Sequence, residues 1–166
     1  MSDTHSYMDD AILNHVKDAD EVWHAGDIGK IDVADKIKTL KPLRAVFGNI
    51  DDHIVRVSFP EDLIFDCEGL KVMITHIGGS PGKYIPRVRI LIDEHQPGLF
   101  ICGHSHLLKV MRDPKKKMLY MNPGAAGIHG FHKVRTMLRF KIEQGKILEL
   151  DVIELGLRGA LPQSVG

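Results

Sequence analysis

Five short polar clusters punctuate the chain, and four of them close a run of residues with strand character. Glu21-Val22-Trp23-His24 leads through Ala25 into Gly26-Asp27, and Leu43-Arg44-Ala45-Val46-Phe47 leads into Gly48-Asn49. Lys71-Val72-Met73-Ile74-Thr75 ends at His76, and Leu99-Phe100-Ile101-Cys102 ends at Gly103-His104-Ser105-His106. The remaining cluster, Asp3-Thr4-His5, follows only two residues. Loops at the ends of parallel strands converge in space, so clusters far apart in sequence can line one pocket.

Helical patterns alternate with these strands. Met8, Ile12 and Val16 recur at helical spacing, with Asp9 and Asp10 early and Lys17 late, as the helix dipole favours. Asp32 is placed to cap a second helix whose buried stripe is Val33, Ile37 and Leu40, and Pro42 ends it. Strands over Asp62–Phe65 and Lys71–Thr75 join at Glu68-Gly69, and a glycine-rich loop from Gly78 to Gly82 precedes a helix with Val88, Leu91, Ile92 and His95 on one face. Beyond Asp113-Pro114, the alternation of Thr136, Leu138, Phe140 and Ile142 with polar neighbours, closed by Gln144-Gly145, predicts a half-buried hairpin. The pattern is that of an α/β protein with mixed sheets. No repeat or linker divides it, so a single domain over residues 1–166 is expected.

Composition excludes several functions. The 22 basic and 22 acidic residues cancel, which argues against a nucleic-acid or anionic-membrane binder working through bulk positive charge. No apolar run approaches the roughly 18 residues that span a bilayer, and Met1 to His5 carries no signal-peptide pattern. Cys67 and Cys102 fit no metal or redox spacing, so a reducing cytoplasm is the expected location. Gly78 to Lys83 lacks the flanking residues of a phosphate loop, having Ile77 and Tyr84 in their place. Lys115-Lys116-Lys117 reads as a solvated hairpin tip.

The unusual number is ten histidines. Four of them join two aspartates and one asparagine in the five clusters, a mixed oxygen and nitrogen set suited to manganese, iron, zinc, cobalt or nickel rather than calcium. Residues i and i+2 of an extended chain project to one side roughly 7 Å apart, and paired hydrolytic metals sit roughly 3.5–4 Å apart. His104 and His106 can therefore reach adjacent ions, Asp3 and His5 can clasp one of them, and Asp27 can bridge both.

The order Asp-x-His, Gly-Asp, Gly-Asn, His, Gly-His-x-His resembles the signature of the calcineurin-like metallophosphoesterases. Ser2-Asp3-Thr4-His5, His24-Ala25-Gly26-Asp27 and Asn122-Pro123-Gly124 are similar to the small YfcE-like phosphodiesterase branch, and the likeness covers residues 2 to 155. The resemblance implies a four-layer α-β-β-α sandwich of two mixed sheets, with two divalent transition-metal ions per chain and manganese the first choice. It implies that Asp3, His5, Asp27 and His106 hold one ion and Asp27, Asn49, His76 and His104 the other. Asp27, Asn49 and His76 form the expected catalytic set, and the expected reaction is hydrolysis of a small phosphodiester by a hydroxide bridging the metals.

Two departures stand out. Ile50 occupies the place where the family usually has a substrate-contacting histidine, although the small branch often lacks it; Asp51, the next motif residue, is retained. Isoleucine can neither give nor take a proton, so Ile50, His129 and His132 are expected at the substrate, with His53, His129 and His132 the rival proton donors. The family's usual first strand is missing from this sequence, so either a strand lies upstream of Met1 or Asp3 and His5 sit on a frayed end. Two further readings are a phosphomonoesterase and a non-catalytic scaffold like the retromer subunit of this fold; a homo-oligomer is also compatible.

Overall fold

The computed structural model describes residues 1–159. Its elements in chain order are α1 (Asp10–Lys17), β1 (Val22–Ala25), α2 (Ile31–Lys38), β2 (Leu43–Val46), α3 (His53–Ser58), β3 (Asp62–Cys67), β4 (Leu70–Thr75), β5 (Gly79–Ser80), β6 (Lys83–Tyr84), α4 (Pro86–His95), β7 (Leu99–Ile101), β8 (Leu108–Asp113), β9 (Met118–Pro123), β10 (Val134–Glu143) and β11 (Lys146–Leu157).

Alternation along the strands sorts apolar side chains into three clusters, and these separate four layers. Val72 and Ile74 of β4, Leu99 and Ile101 of β7 and Met121 of β9 face Ala25 of β1 and Val46 of β2 across the space between the sheets. The intervening Met73, Phe100 and Tyr120 point the other way, onto Val88 and Ile92 of α4. On the far side, Ile12, Val16, Val33, Ile37 and Val55 of α1, α2 and α3 pack on Val22, Ala45, Met137 and Ile153. The expected α-β-β-α order is the observed one.

The two sheets differ in continuity. One is a five-stranded mixed sheet in the order β3-β4-β7-β9-β8, with β4, β7 and β9 parallel. The other is assembled from a parallel pair, β1–β2, and an antiparallel pair, β10–β11. Residues 1–5 stitch these pairs together. Met1 accepts from Ala25 N–H, Asp3 and His5 donate to Gly26 and Asp27, and the carbonyls of Ser2 and Asp3 accept from Ala126 and Gly127. Thr136 N–H of β10 then donates to Ala125. No strand is assigned before α1, yet Ser2, Asp3 and Thr4 are fully buried. The frayed-end expectation fails because hydrogen bonds hold this segment on both sides.

Above that stitched segment the layer opens. A cavity of about 770 Å³ lies between β1 and β10, with Met1 at one end, Trp23 and Phe140 on its walls, and Asp18, Asp20, Glu68 and Glu143 among its polar lining. Burial lowers the pKa of the Met1 amino group to about 5, and that group donates to Trp23 O at 2.8 Å.

Two local expectations are corrected. Asp32 lies in the first turn of α2, whose N-cap is Lys30 with no side-chain cap bond. The six-residue α3 was not foreseen; Asp52 caps it by accepting from Val55 N–H at 3.1 Å. Lys115–Lys117 lies at the β8–β9 turn, as expected.

Candidate metal centre

Asp3, His5, His106 and, beside them, Asp27, His76, His104 form two groups whose candidate ligand atoms lie within 4.8 Å of one another. Each residue stands where the backbone leaves a strand or the stitched segment. Asp3, His5, Asp27, His104 and His106 all have left-handed φ, between 48° and 67°. Aspartate and histidine tolerate this region better than bulkier residues, at a cost of order 1 kcal/mol each, and such outliers gather at functional sites. Here the turn swings a side chain at the strand end back across the sheet edges.

The glycines of the motifs are there for space. A methyl group on Gly48 would fall on the Asp27 carboxylate, and one on Gly103 would fall on Ser2 Oγ and Asp3 Oδ2. Backbone amides fix the acids from behind. His104 N–H donates to Asp3 Oδ2 at 3.1 Å, and Ile50 N–H donates to Asp27 Oδ1 at 3.1 Å. Asp51, also buried, accepts from Gly29 N–H at 2.6 Å and Gly48 N–H at 2.7 Å, tying the Asp27 loop to the Asn49 loop. Arg56 donates to the carbonyls of Gly48, Asn49 and Asp51. Asn122 donates to Gly103 O and Ser105 Oγ, holding the Gly103–His106 turn.

Asp27 faces both groups. Its Oδ2 lies 3.6 Å from His5 Nε2, and its Oδ1 lies 3.2 Å from His76 Nε2. His76 Nε2 is also 3.1 Å from Asn49 Oδ1, while its Nδ1 sits 2.7 Å from Ala25 O. With the proton on Nδ1 for that carbonyl, Nε2 presents a lone pair to two oxygens, an arrangement that asks for a cation or a second proton. Burial pushes the His76 pKa down, but the Asp27 hydrogen bond, the charges of Asp3 and Asp27 and the Ala25 carbonyl outweigh it, and the pKa is raised. Burial alone would raise Asp27; its His76 partner and the Ile50 amide reverse this and lower it.

The other group fits a cation as well. Asp3 Oδ1 is buried with no hydrogen-bond partner among the described residues, 3.1 Å from His106 Nε2 and 4.0 Å from His5 Nε2. The two histidine nitrogens approach each other to 3.4 Å. Burial holds His5 below its ordinary pKa despite Asp27 and Asp3, so its lone pair is available near neutral pH.

The structure therefore brings together Asp3, His5, Asp27, Asn49, His76, His104 and His106. Ile50 is adjacent through its amide and is exposed. His129 is exposed, with its ring centroid 4.9 Å from that of His5. His132 lies behind the site instead: it is buried, packs 5.3 Å from His106 and has Nε2 3.0 Å from Gly127 O. His24 lies beneath the site, with Nε2 3.0 Å from the Thr4 hydroxyl, which itself donates to Ile28 O. The anchoring role of Arg56 was missed, because nothing in its spacing announces a side chain that turns back onto three carbonyls.

Comparison with known proteins gives an independent finding. The family model described as calcineurin-like phosphoesterase superfamily domain matches residues 1–145. A protein from Methanothermobacter thermautotrophicus described as a probable metallophosphoesterase is 27% identical over 163 residues, covering 94% of this chain and 91% of its own length. Wild-type Vps29 from Entamoeba histolytica, solved with zinc, superposes with a TM-score of 0.70 at 15% identity, covering 93% of this chain and 97% of that one. A structure described as a novel archaeal phosphodiesterase gives 0.68 at 20% identity, with coverage of 93% and 96%. At these identities the two solved structures speak for the fold.

Proposed function

The chain belongs to the calcineurin-like phosphoesterase superfamily, and from that premise we propose that it hydrolyses phosphodiesters at a dinuclear metal centre. The observation that supports this most is Asp27, whose two oxygens face different histidine groups. In this reading Asp3, His5, Asp27 and His106 hold one divalent cation, and Asp27, Asn49, His76 and His104 hold the other. Manganese suits the mixed oxygen and nitrogen set, as do zinc, iron, cobalt and nickel. Bound there, two such ions supply an activated water at neutral pH and neutralise charge on the phosphoryl oxygens.

The protein's own groups prepare the site. Ala25 O holds the His76 proton on Nδ1 and leaves Nε2 free. The Ile50 and His104 amides fix the Asp27 and Asp3 carboxylates. Ile50 cannot protonate a leaving group, whereas the His129 imidazole is exposed beside His5 and can carry that proton. The free thiols of Cys67 and Cys102 suit a reducing, cytoplasmic setting.

The test is reconstitution with manganese or zinc, elemental analysis, and rates on bis-p-nitrophenyl phosphate against p-nitrophenyl phosphate. About two ions per chain and faster diester cleavage are expected. Asp27→Asn should lower metal occupancy at both sites and reduce turnover along with it. Faster monoester cleavage would instead make this a phosphomonoesterase. Bound metal without hydrolysis of either ester would favour the scaffold reading, which the likeness to Vps29 motivates. Absence of metal after reconstitution overturns the proposal.

A further inference from the structure

Large apolar side chains stand in solvent beside the site residues. Ile50 follows Asn49, Ile77 follows His76, Leu107 follows His106, Ile128 precedes His129 and Phe131 precedes His132, and all five apolar residues are exposed. Leu107 is 67% exposed and Phe131 has no cover at all, at 103%. A single exposed leucine or isoleucine is ordinary. Five of them, on the four loops that bring Asn49, His76, His106 and His129 to one polar centre, exceed what scattered single residues give and are what a ligand surface needs.

The geometry ties these residues to the same mouth. The Ile50 amide is bonded to Asp27, and the loop carrying Ile128 and Phe131 lies against the centre through the His129–His5 and His132–His106 ring contacts. Beside Asn49 and His76 lies a hollow of about 220 Å³ lined by Phe47, Ile77 and Ile85 and, on its polar side, by Arg56, Glu61 and Arg87.

Charge points the same way. Arg56 donates to the Gly48, Asn49 and Asp51 carbonyls, Arg135 to Asp9 and Ala126 O, and Arg158 to His132 O. These arginines are engaged with the protein itself, as is Arg87, which lines the hollow and pairs with Glu61 and Asp62, so a second anionic group on the substrate would meet hydrocarbon instead of a free guanidinium.

We propose that the substrate is a phosphodiester whose retained ester group is bulky and apolar, held by the rim of Ile50, Ile77, Leu107, Ile128 and Phe131. This rests on the phosphodiesterase reading above. The same chemistry has two sources, a soluble diester or a phospholipid-like diester in a bilayer.

The experiment uses the manganese-loaded protein and p-nitrophenyl alkyl phosphates in which the alkyl group lengthens from methyl to octyl. Water cleaves the bond from phosphorus to p-nitrophenolate in each, releasing the alkyl phosphate, p-nitrophenolate and a proton. Burying one methylene fully is worth about fourfold, so kcat/KM should rise about two- to fourfold per added carbon until the rim is covered. Phe131→Ala and Leu107→Ala should flatten that rise, whereas Ile90→Ala, an exposed position on α4, should not. A phosphatidyl p-nitrophenyl ester in phosphatidylcholine vesicles, run beside the octyl ester below its micelle concentration, identifies the source by which of the two is cleaved faster. A flat series in an enzyme that cleaves the methyl ester overturns the apolar rim and leaves the phosphodiesterase reading intact. Failure to cleave any ester, with metal bound, removes the phosphodiesterase reading itself.

Discussion

His24 lies under the site with its Nε2–H on the Thr4 hydroxyl and its Nδ1 without a partner among the described residues, and burial holds its pKa well below the ordinary value. In the unfolded chain a histidine titrates near 6.5. Below that pH the unfolded state takes up a proton that native His24 refuses. Stability is therefore complete above about pH 6.5 and is lost as pH falls toward the depressed native value, by at most about 1.4 kcal/mol per unit. Burial shifts His5 and His132 in the same direction, whereas His76, raised by Asp27 against the effect of burial, opposes them and is outnumbered. The urea midpoint of metal-free protein should fall between pH 7 and pH 5, and His24→Gln, which keeps a donor toward Thr4, should make the fall shallower; an unchanged slope would contradict this. Ile50 yields a second prediction at this scale. Positioned acid catalysis is worth about 10²–10⁴-fold, so Ile50→His should speed cleavage of esters with poor leaving groups and leave aryl esters nearly unchanged. Rates plotted against leaving-group pKa for the parent, Ile50→His and His129→Ala decide it. A dependence that is flat in the parent and steepens only in His129→Ala would make His129 the acid already in place.

Among the elements, the turns at strand ends carry the function, and Asp51 is their common anchor. It bonds the amides of Gly29 and Gly48, one in the loop after β1 and one after β2. Asp51→Ala leaves the buried Gly48 donor and the half-buried Gly29 donor unmet, which costs about 1–3 kcal/mol. Loss of such support weakens metal affinity about 10–100-fold; chemical denaturation and metal titration measure the two effects. The strand ends were legible because apolar runs stop abruptly at glycine, histidine and asparagine; the motif order named the fold, and the seven candidate ligands it singled out stand together in the structure. What escaped were elements whose local signal is short or ambiguous. The helix α3 has only six residues, too few for periodicity to show. Asp32 reads as a cap, but the chain enters α2 two residues earlier, at Lys30. His132 reads like His129 in sequence, and only its packing behind His106 separates an inward residue from an outward one. Ser2 to Thr4 lacks any strand pattern, because its partners, β1 and residues 125–127, are distant in sequence.

At the scale of the whole molecule, the candidate ligands come from both sheets. Asp27 and Asn49 follow β1 and β2, whereas His76, His104 and His106 follow β4 and β7 of the five-stranded sheet. Cations held between them would fasten the two layers at one end, and binding to the native state alone stabilises it. At a hundred times the dissociation constant one site contributes about 2.7 kcal/mol, so manganese should raise Tm by about 5–10 °C over protein in chelator; a scan with no shift would count against metal at the sheet junction. At the other end of the layer, the cavity between β1 and β10 leaves strand edges facing a space with an apolar wall and a charged rim. An extended segment with alternating apolar residues would suit that space, covering the wall of Trp23 and Phe140. Asp18, Asp20, Glu68 and Glu143 stand around it together with Arg139 and Lys141, and charged side chains beside an open strand edge discourage pairing with a second copy.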